Sequence, residues 1–161
     1  MLIGIPYSIN PEFLFALARM GHGDTIVIAD ANFPSDSVAS HCVVKTPIRV
    51  HGTTSDILRD VLKLLPLDQY TDRAVAVMDK VQSDKDKDLY VPAYKNILDV
   101  VNSCETVVTF EDPPPAEDAM DFVERMEFYD RAKKCFAVVQ TDDTSLYANI
   151  IITKGVVPPF Q

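Results

Sequence analysis

Glycine is scarce in this chain, at 5 residues of 161, and tryptophan is absent. Neither GxGxxG nor GxxxxGK[ST] occurs, so the backbone-amide cradle that a nucleotide phosphate requires has no sequence to build it. Basic charge is also short: 15 Lys and Arg face 24 Asp and Glu, for a net charge of −9. That balance argues against nucleic acid and against an acidic membrane surface, because both need a basic patch. The acidity by itself assigns no function, since negative charge on a soluble protein is mostly a solvated face. No apolar run approaches the ~18 residues of a membrane span. The opening segment, Met1 to Pro6, has no basic flank and is stopped by Pro6 and the polar stretch around Ser8 and Asn10, which predicts no signal peptide. The three cysteines, Cys42, Cys104 and Cys135, are widely spaced and form no CxxC. They read as reduced, partly buried thiols in a cytoplasmic protein. The three histidines, His22, His41 and His51, lack the spacing of a zinc site. No GxSxG elbow occurs, and no local feature would lower a cysteine pKa. The sequence therefore predicts no metal and no cofactor.

What is present is an alternation of helices and short apolar strands. Asn10-Pro11-Glu12 is a helix start, with a capping amide, proline at the first position and an acid in the first turn. Phe13, Leu14, Leu17 and Ala18 form its apolar face, and Gly21 ends it. Thr25 to Ala29 (TIVIA) is a nearly continuous apolar run that suits a strand buried on both faces. A second helix is predicted over Asp56 to Leu65, with Thr53 to Ser55 supplying its cap, and a strand over Ala74 to Met78. Gln82 to Leu89 reads as a charged loop. A third helix opens at Pro92, and a third strand is expected at Thr106 to Phe110. Glu111 to Glu117 (EDPPPAE) is acidic and proline-rich, so residues 111–121 read as a loop insertion. Arg125 to Lys134 reads as a helix, with Glu127/Arg131 and Asp130/Lys134 as i,i+4 pairs. Cys135 to Gln140 and Leu146 to Thr153 read as two strands of a hairpin. The expected fold is a single α/β domain over residues 1–161. It has three layers: a mostly parallel sheet, helices on both faces, and a C-terminal antiparallel hairpin. In open sheets of this kind ligands gather at strand ends, which directs attention to Asp30, Met78 and the last hairpin.

Individual residues leave several readings open. His22 stands between Gly21 and Gly23 just after a helix; it is either an incidental residue in a helix cap or an exposed acid/base group. Histidine is the side chain that changes charge near neutral pH. Asp30 ends a buried strand, where its carboxylate can bind a ligand or cap the turn through Asn32 and Pro34. Tyr147 and Asn149, two apart on a predicted strand, share one face and suit a polyhydroxylated ligand, or simply an edge strand's polar face. Asp68 fits a turn equally well. Asp30-Ala31-Asn32 also permits an aspartate-based phosphoryl transfer, but no downstream acidic pair accompanies it.

Five segments in order carry a resemblance: LARMGHGDTIVIADANFP (Leu17 to Pro34), LKLLPLD (Leu62 to Asp68), AVAVM (Ala74 to Met78), EFYDRAKKCFAVVQT (Glu127 to Thr141) and LYANIIITKGVV (Leu146 to Val157). They resemble the fucose mutarotase and ribose pyranase family, and ADANFP with FYDRAKK favours the fucose branch. The chain departs from the pattern at Thr25, where an acid is common, and at Asp142, where a turn glycine is usual. Aspartate tolerates the left-handed conformation such a turn needs.

The resemblance implies an isomerase that interconverts the α and β anomers of L-fucose, a free monosaccharide, by acid/base ring opening and closure without a cofactor. By the same resemblance His22 is the proton donor and Asp68 a second acid/base group. Asp30, Met78, Tyr129, Tyr147 and Asn149 contact the sugar. The competing expectation is a non-catalytic monosaccharide-binding or transport-accessory module, which would need no acid/base residue. Strand length adds one more inference. His22 precedes TIVIA and Asp30 follows it, so eight residues separate them by up to roughly 25 Å of extended chain. If both serve one sugar, the active site is expected at the interface between subunits of a homo-oligomer.

Overall fold

A computed structural model describes residues 2–103 and 120–157. Along the chain run α1 (Pro11–Arg19), β1 (Thr25–Ala29), α2 (Ser35–Ala39), β2 (Ile48–Arg49), α3 (Thr54–Leu62) and β3 (Val75–Met78). They are followed by α4 (Gln82–Lys85), α5 (Pro92–Asn102), β4 (Asp121–Val123), α6 (Arg125–Ala132), β5 (Ala137–Gln140) and β6 (Ile150–Thr153).

The described strands form one sheet in the order β2-β5-β1-β6-β3-β4. β1 pairs in parallel with β5, β2 with β5, and β3 with β4, whereas β6 runs antiparallel to both β1 and β3. Five strands thus share one direction and only β6 is reversed. The expected α/β fold is present, and its last strand is antiparallel, but β5 and β6 are not a hairpin. β1 lies between them. The Thr141 to Asn149 connection crosses β1 at its carboxyl end, and that crossing brings Tyr147 and Asn149 beside Asp30.

β1 shows why both faces must be covered. Ile26 and Ile28 belong to one buried cluster with Phe13, Leu17, Ile57, Leu58, Val61 and Ile97, which come from α1, α3 and α5. Val27 and Ala29, on the alternate side, belong to a second cluster with Val38, Ala39, Phe128 and Ala132 from α2 and α6. Period-2 alternation of side chains between two apolar layers makes the strand read as a continuous apolar run.

Local signals set the helix starts. Asn10 accepts a hydrogen bond from the Phe13 N–H at 2.9 Å, and Thr53 caps α3 through the Asp56 N–H. Glu124 caps α6 by accepting from the N–H groups of Met126 and Glu127. Four short elements escape periodicity. α2, β2 and β4 have no more than five residues, and α4 lies inside the segment expected to be a charged loop. The strand expected at Thr106 to Phe110 and the loop at 111–119 lie outside the described residues. Asp121, placed at the end of that loop, opens β4.

Candidate active site

The two ends of β1 carry the polar residues singled out from the sequence. At its amino end α1 stops at Met20, and the chain turns through Gly21-His22-Gly23-Asp24. Gly23 has φ +83°, a conformation that glycine adopts without the steric cost other residues incur. The Asp24 carboxylate accepts from the Gly21 N–H at 2.7 Å and so closes the loop. His22 Nε2 lies 3.0 Å from Oδ1 of Asp68; the His22 side chain is 48% exposed and that of Asp68 only 4%. The Tyr70 N–H donates to the same Asp68 oxygen, and the Tyr70 ring packs 5.5 Å from the imidazole.

The segment after β6 holds both loops in place. The Gly23 N–H donates to the Lys154 carbonyl, the Lys154 N–H to that of Asp24, and the Gly155 N–H to that of Pro66. A Cβ at Gly155 would sit 2.4 Å from the Leu67 carbonyl oxygen and 3.0 Å from Asp68 Cα. Only glycine lets the backbone approach that closely.

At the carboxyl end of β1 a cleft of about 330 Å³ is lined by Asp30, Met78, Tyr129, Tyr147 and Asn149, all five of the expected sugar contacts. Asp30 and Asn149 are both buried and grip each other. The Asp30 N–H donates to Asn149 Oδ1 at 2.9 Å, and Asn149 Nδ2 donates to Asp30 Oδ2 at 2.7 Å. The Asn32 N–H donates to Asp30 Oδ1 at 2.9 Å, so Asp30 caps its turn and lines the cleft at once. Burial raises the Asp30 pKa above the usual carboxylate value, against the opposing effect of the hydrogen bonds from Asn32 and Asn149. Tyr129 is fixed by Phe33, whose ring meets it edge-on at 5.6 Å.

Tyr147 and Asn149 do not lie on a strand as expected. They sit in the connection before β6, and Tyr147 has φ +59°. Asp142 does not occupy the left-handed conformation; among the described residues that falls to Asp88 and Tyr147 besides glycine. Asp142 instead accepts from the Gly52 N–H at 2.7 Å and contacts His51. Because Tyr147 and Asn149 reach the cleft from a loop, they need not share a strand face to act together.

His22 and Asp68 are not among the residues that line this cleft. Asn32, Phe33, Val81, Asp84, Arg125 and Leu146 line it without having been singled out from the sequence. Arg125 did carry a signal. It opens α6, where the positive end of the helix dipole disfavours a cation. Asp84 carried none, since it is one acid in a charged run.

Cys42 and Cys135 are buried and free. Burial pushes the Cys135 thiol up to about 12, which leaves it inert; Cys104 lies outside the described residues. No helix among the described residues is long and apolar enough to cross a membrane.

Comparison with known proteins decides the family. Residues 3–157 match the model of the RbsD / FucU transport protein family. The chain belongs to that family. It is 46% identical over 157 residues to the fucose mutarotase of Mus musculus, covering 96% of this chain and 94% of the relative. To the L-fucose mutarotase of Haemophilus influenzae it is 38% identical over 159 residues, covering 98% and 99%. Among RbsD / FucU structures, the fucose mutarotase of Streptococcus pneumoniae in complex with L-fucose superimposes with a TM-score of 0.79. The identity is 34%, over 98% of this chain and 100% of that one.

Proposed function

We propose that this protein is an L-fucose mutarotase, an isomerase that interconverts the α and β anomers of the free sugar. The single observation that carries the substrate is likeness over almost the whole chain to fucose mutarotases, one of them solved with L-fucose. The geometry supports the chemistry. Mutarotation removes the proton from the anomeric hydroxyl as the C1–ring-oxygen bond breaks and the ring oxygen takes up a proton. The open-chain aldehyde rotates about C1–C2, and the ring recloses on the other face with the protons returned. An imidazole that gives and takes protons near neutral pH, held by a carboxylate, suits this two-way traffic. His22, hydrogen-bonded to Asp68, fills that role, with Asp68 orienting the ring and serving as the second acid/base group.

Binding falls to the cleft. Asp30 accepts from sugar hydroxyls, Tyr129, Tyr147 and Met78 supply apolar and aromatic walls, Arg125 adds donors, and Asn149 holds Asp30. Since His22 and Asp68 lie at the far end of β1, the complete site joins the cleft of one subunit to the histidine of its neighbour in a homo-oligomer. The compartment we assign is the cytoplasm, a reading supported by two buried thiols left free.

One observation favours a second reading: the single-chain cleft is lined without a histidine, as suffices for a sugar-binding module. Saturation-transfer NMR on equilibrated L-fucose separates the two. Exchange between anomer signals, unchanged in EDTA, is the expected result. Binding without exchange at high protein concentration would establish the module instead.

A further inference from the structure

The Tyr147 hydroxyl is occupied by the protein itself. It donates to Oδ2 of Asp84 at 2.6 Å and accepts from the Val81 N–H at 3.3 Å. A phenol has one proton to donate, so Tyr147 has none left for a sugar and offers the cleft its ring. Its backbone is left-handed, at φ +59°, which a residue with a Cβ adopts only against a steric cost.

Asp84 belongs to α4, and the segment around it is tied down in its own right. Lys85 pairs with Asp79, Lys80 Nζ donates to the Leu89 carbonyl at 2.9 Å, and the Leu89 N–H donates to the Asp84 carbonyl at 3.0 Å. Behind it the Tyr94 hydroxyl donates to the Met78 carbonyl at 2.8 Å. A short, charged, surface segment therefore forms one wall of the cleft, and it holds Tyr147 through the Val81 N–H and, at the shorter distance, through the Asp84 carboxylate.

We infer that Asp84 is a positioning residue of the sugar site, which holds the Tyr147 ring in place as a stacking wall for the bound monosaccharide. This deepens the mutarotase reading and rests on it for the identity of the ligand. Burial and the hydrogen bond to Asp84 together raise the Tyr147 pKa, so the phenol keeps the proton it donates. The role places Asp84 in binding and not in proton transfer, and the kinetic effect should fall on KM.

The test uses Asp84→Ala, Asp84→Asn, Tyr147→Phe and the double variant Asp84→Ala/Tyr147→Phe in the full chain. Loss of a charge-assisted hydrogen bond should raise KM for L-fucose about tenfold in Asp84→Ala, with kcat unchanged. Asp84→Asn keeps an acceptor and should recover most of the loss. Tyr147→Phe should match Asp84→Ala, and the double variant should be no worse than either single one. Independent, additive losses would mean that Asp84 meets the sugar directly, and would overturn the inference; so would an unchanged KM or an effect on kcat alone. A second measurement does not depend on the sugar. In protein labelled at its six tyrosines, the ring signal missing from Tyr147→Phe should shift in Asp84→Ala while the other five stay put. An unmoved signal overturns the positioning role even if the protein proves not to act on L-fucose.

Discussion

At its amino end β1 is flanked by His22, half exposed on a loop between two glycines and leaning on one buried carboxylate. At its carboxyl end Asp30 and Asn149 are buried and bonded to each other twice. The first arrangement leaves about half of the imidazole side chain open to solvent while Asp68 holds its Nε2. The second fixes two polar side chains against each other, so under the proposed function a sugar hydroxyl would meet a preorganised acceptor. One strand separates a half-exposed histidine from a buried, mutually bonded pair in the cleft. Mutations at the two ends should therefore fail in different ways.

The largest expected effect is at the amino end. Replacing His22 by Ala should lower anomer exchange by ~10²–10⁴-fold, the usual contribution of one positioned acid/base group, while affinity for L-fucose and the unfolding temperature stay near wild type. Magnetisation transfer measures the first, a titration the second. Near-wild-type exchange would remove His22 from the chemistry and leave Asp68 as the better proton donor.

The division of labour between subunits comes next. His22→Ala and Asp30→Ala variants, each inactive alone, should regain activity when co-expressed. If subunits mix at random in equal amounts and each site draws on two neighbours, about one pocket in four carries neither lesion. Verified mixed oligomers without recovered exchange would mean that both residues act within one subunit.

How much of this was legible beforehand follows from what each feature depends on. TIVIA announced a strand buried on both faces because its signal, a short continuous apolar run, is local, and Asn10-Pro11 announced a cap because that signal is local too. The position of β6 between β1 and β3 was not legible. Two apolar runs separated by a short turn-like stretch read as a hairpin, and only long-range pairing shows the connection crossing β1. The left-handed Tyr147 followed from that crossing and had no sequence mark, whereas its place in the cleft came from the family resemblance. Asp84 was hidden in a charged run whose composition says solvent, because its value lies in one contact 63 residues away.

A smaller effect should come from the carboxyl end. Asn149→Ala removes the donor on Asp30 Oδ2 and the acceptor of the Asp30 N–H, leaving a buried backbone group unpaired. That costs ~1–3 kcal/mol, visible as a lower unfolding temperature and weaker L-fucose binding, with kcat nearly preserved. A loss of kcat alone would contradict the rigid-cleft account.

The smallest effect separates the ends by pH. Burial, the first cause, raises the Asp30 pKa above 3.8, so protonation begins at a higher pH than for an exposed aspartate. Only the ionised form has both oxygens available as acceptors. Affinity for L-fucose should therefore be complete well above the raised value and lost as pH falls through it. At a pH equal to that pKa half the sites are protonated and affinity is about twofold weaker. The sign for stability is the reverse. A carboxylate whose folded pKa is raised binds protons more readily in the folded state, so its unfavourable contribution is present at neutral pH and disappears below the unfolded value. Titrating L-fucose binding against pH in the wild type, with Asp30→Asn as the variant that cannot ionise, isolates this effect. An affinity constant down to the ordinary aspartate range would mean that Asp30 binds the sugar as well neutral as charged, and the cleft would owe nothing to its ionisation.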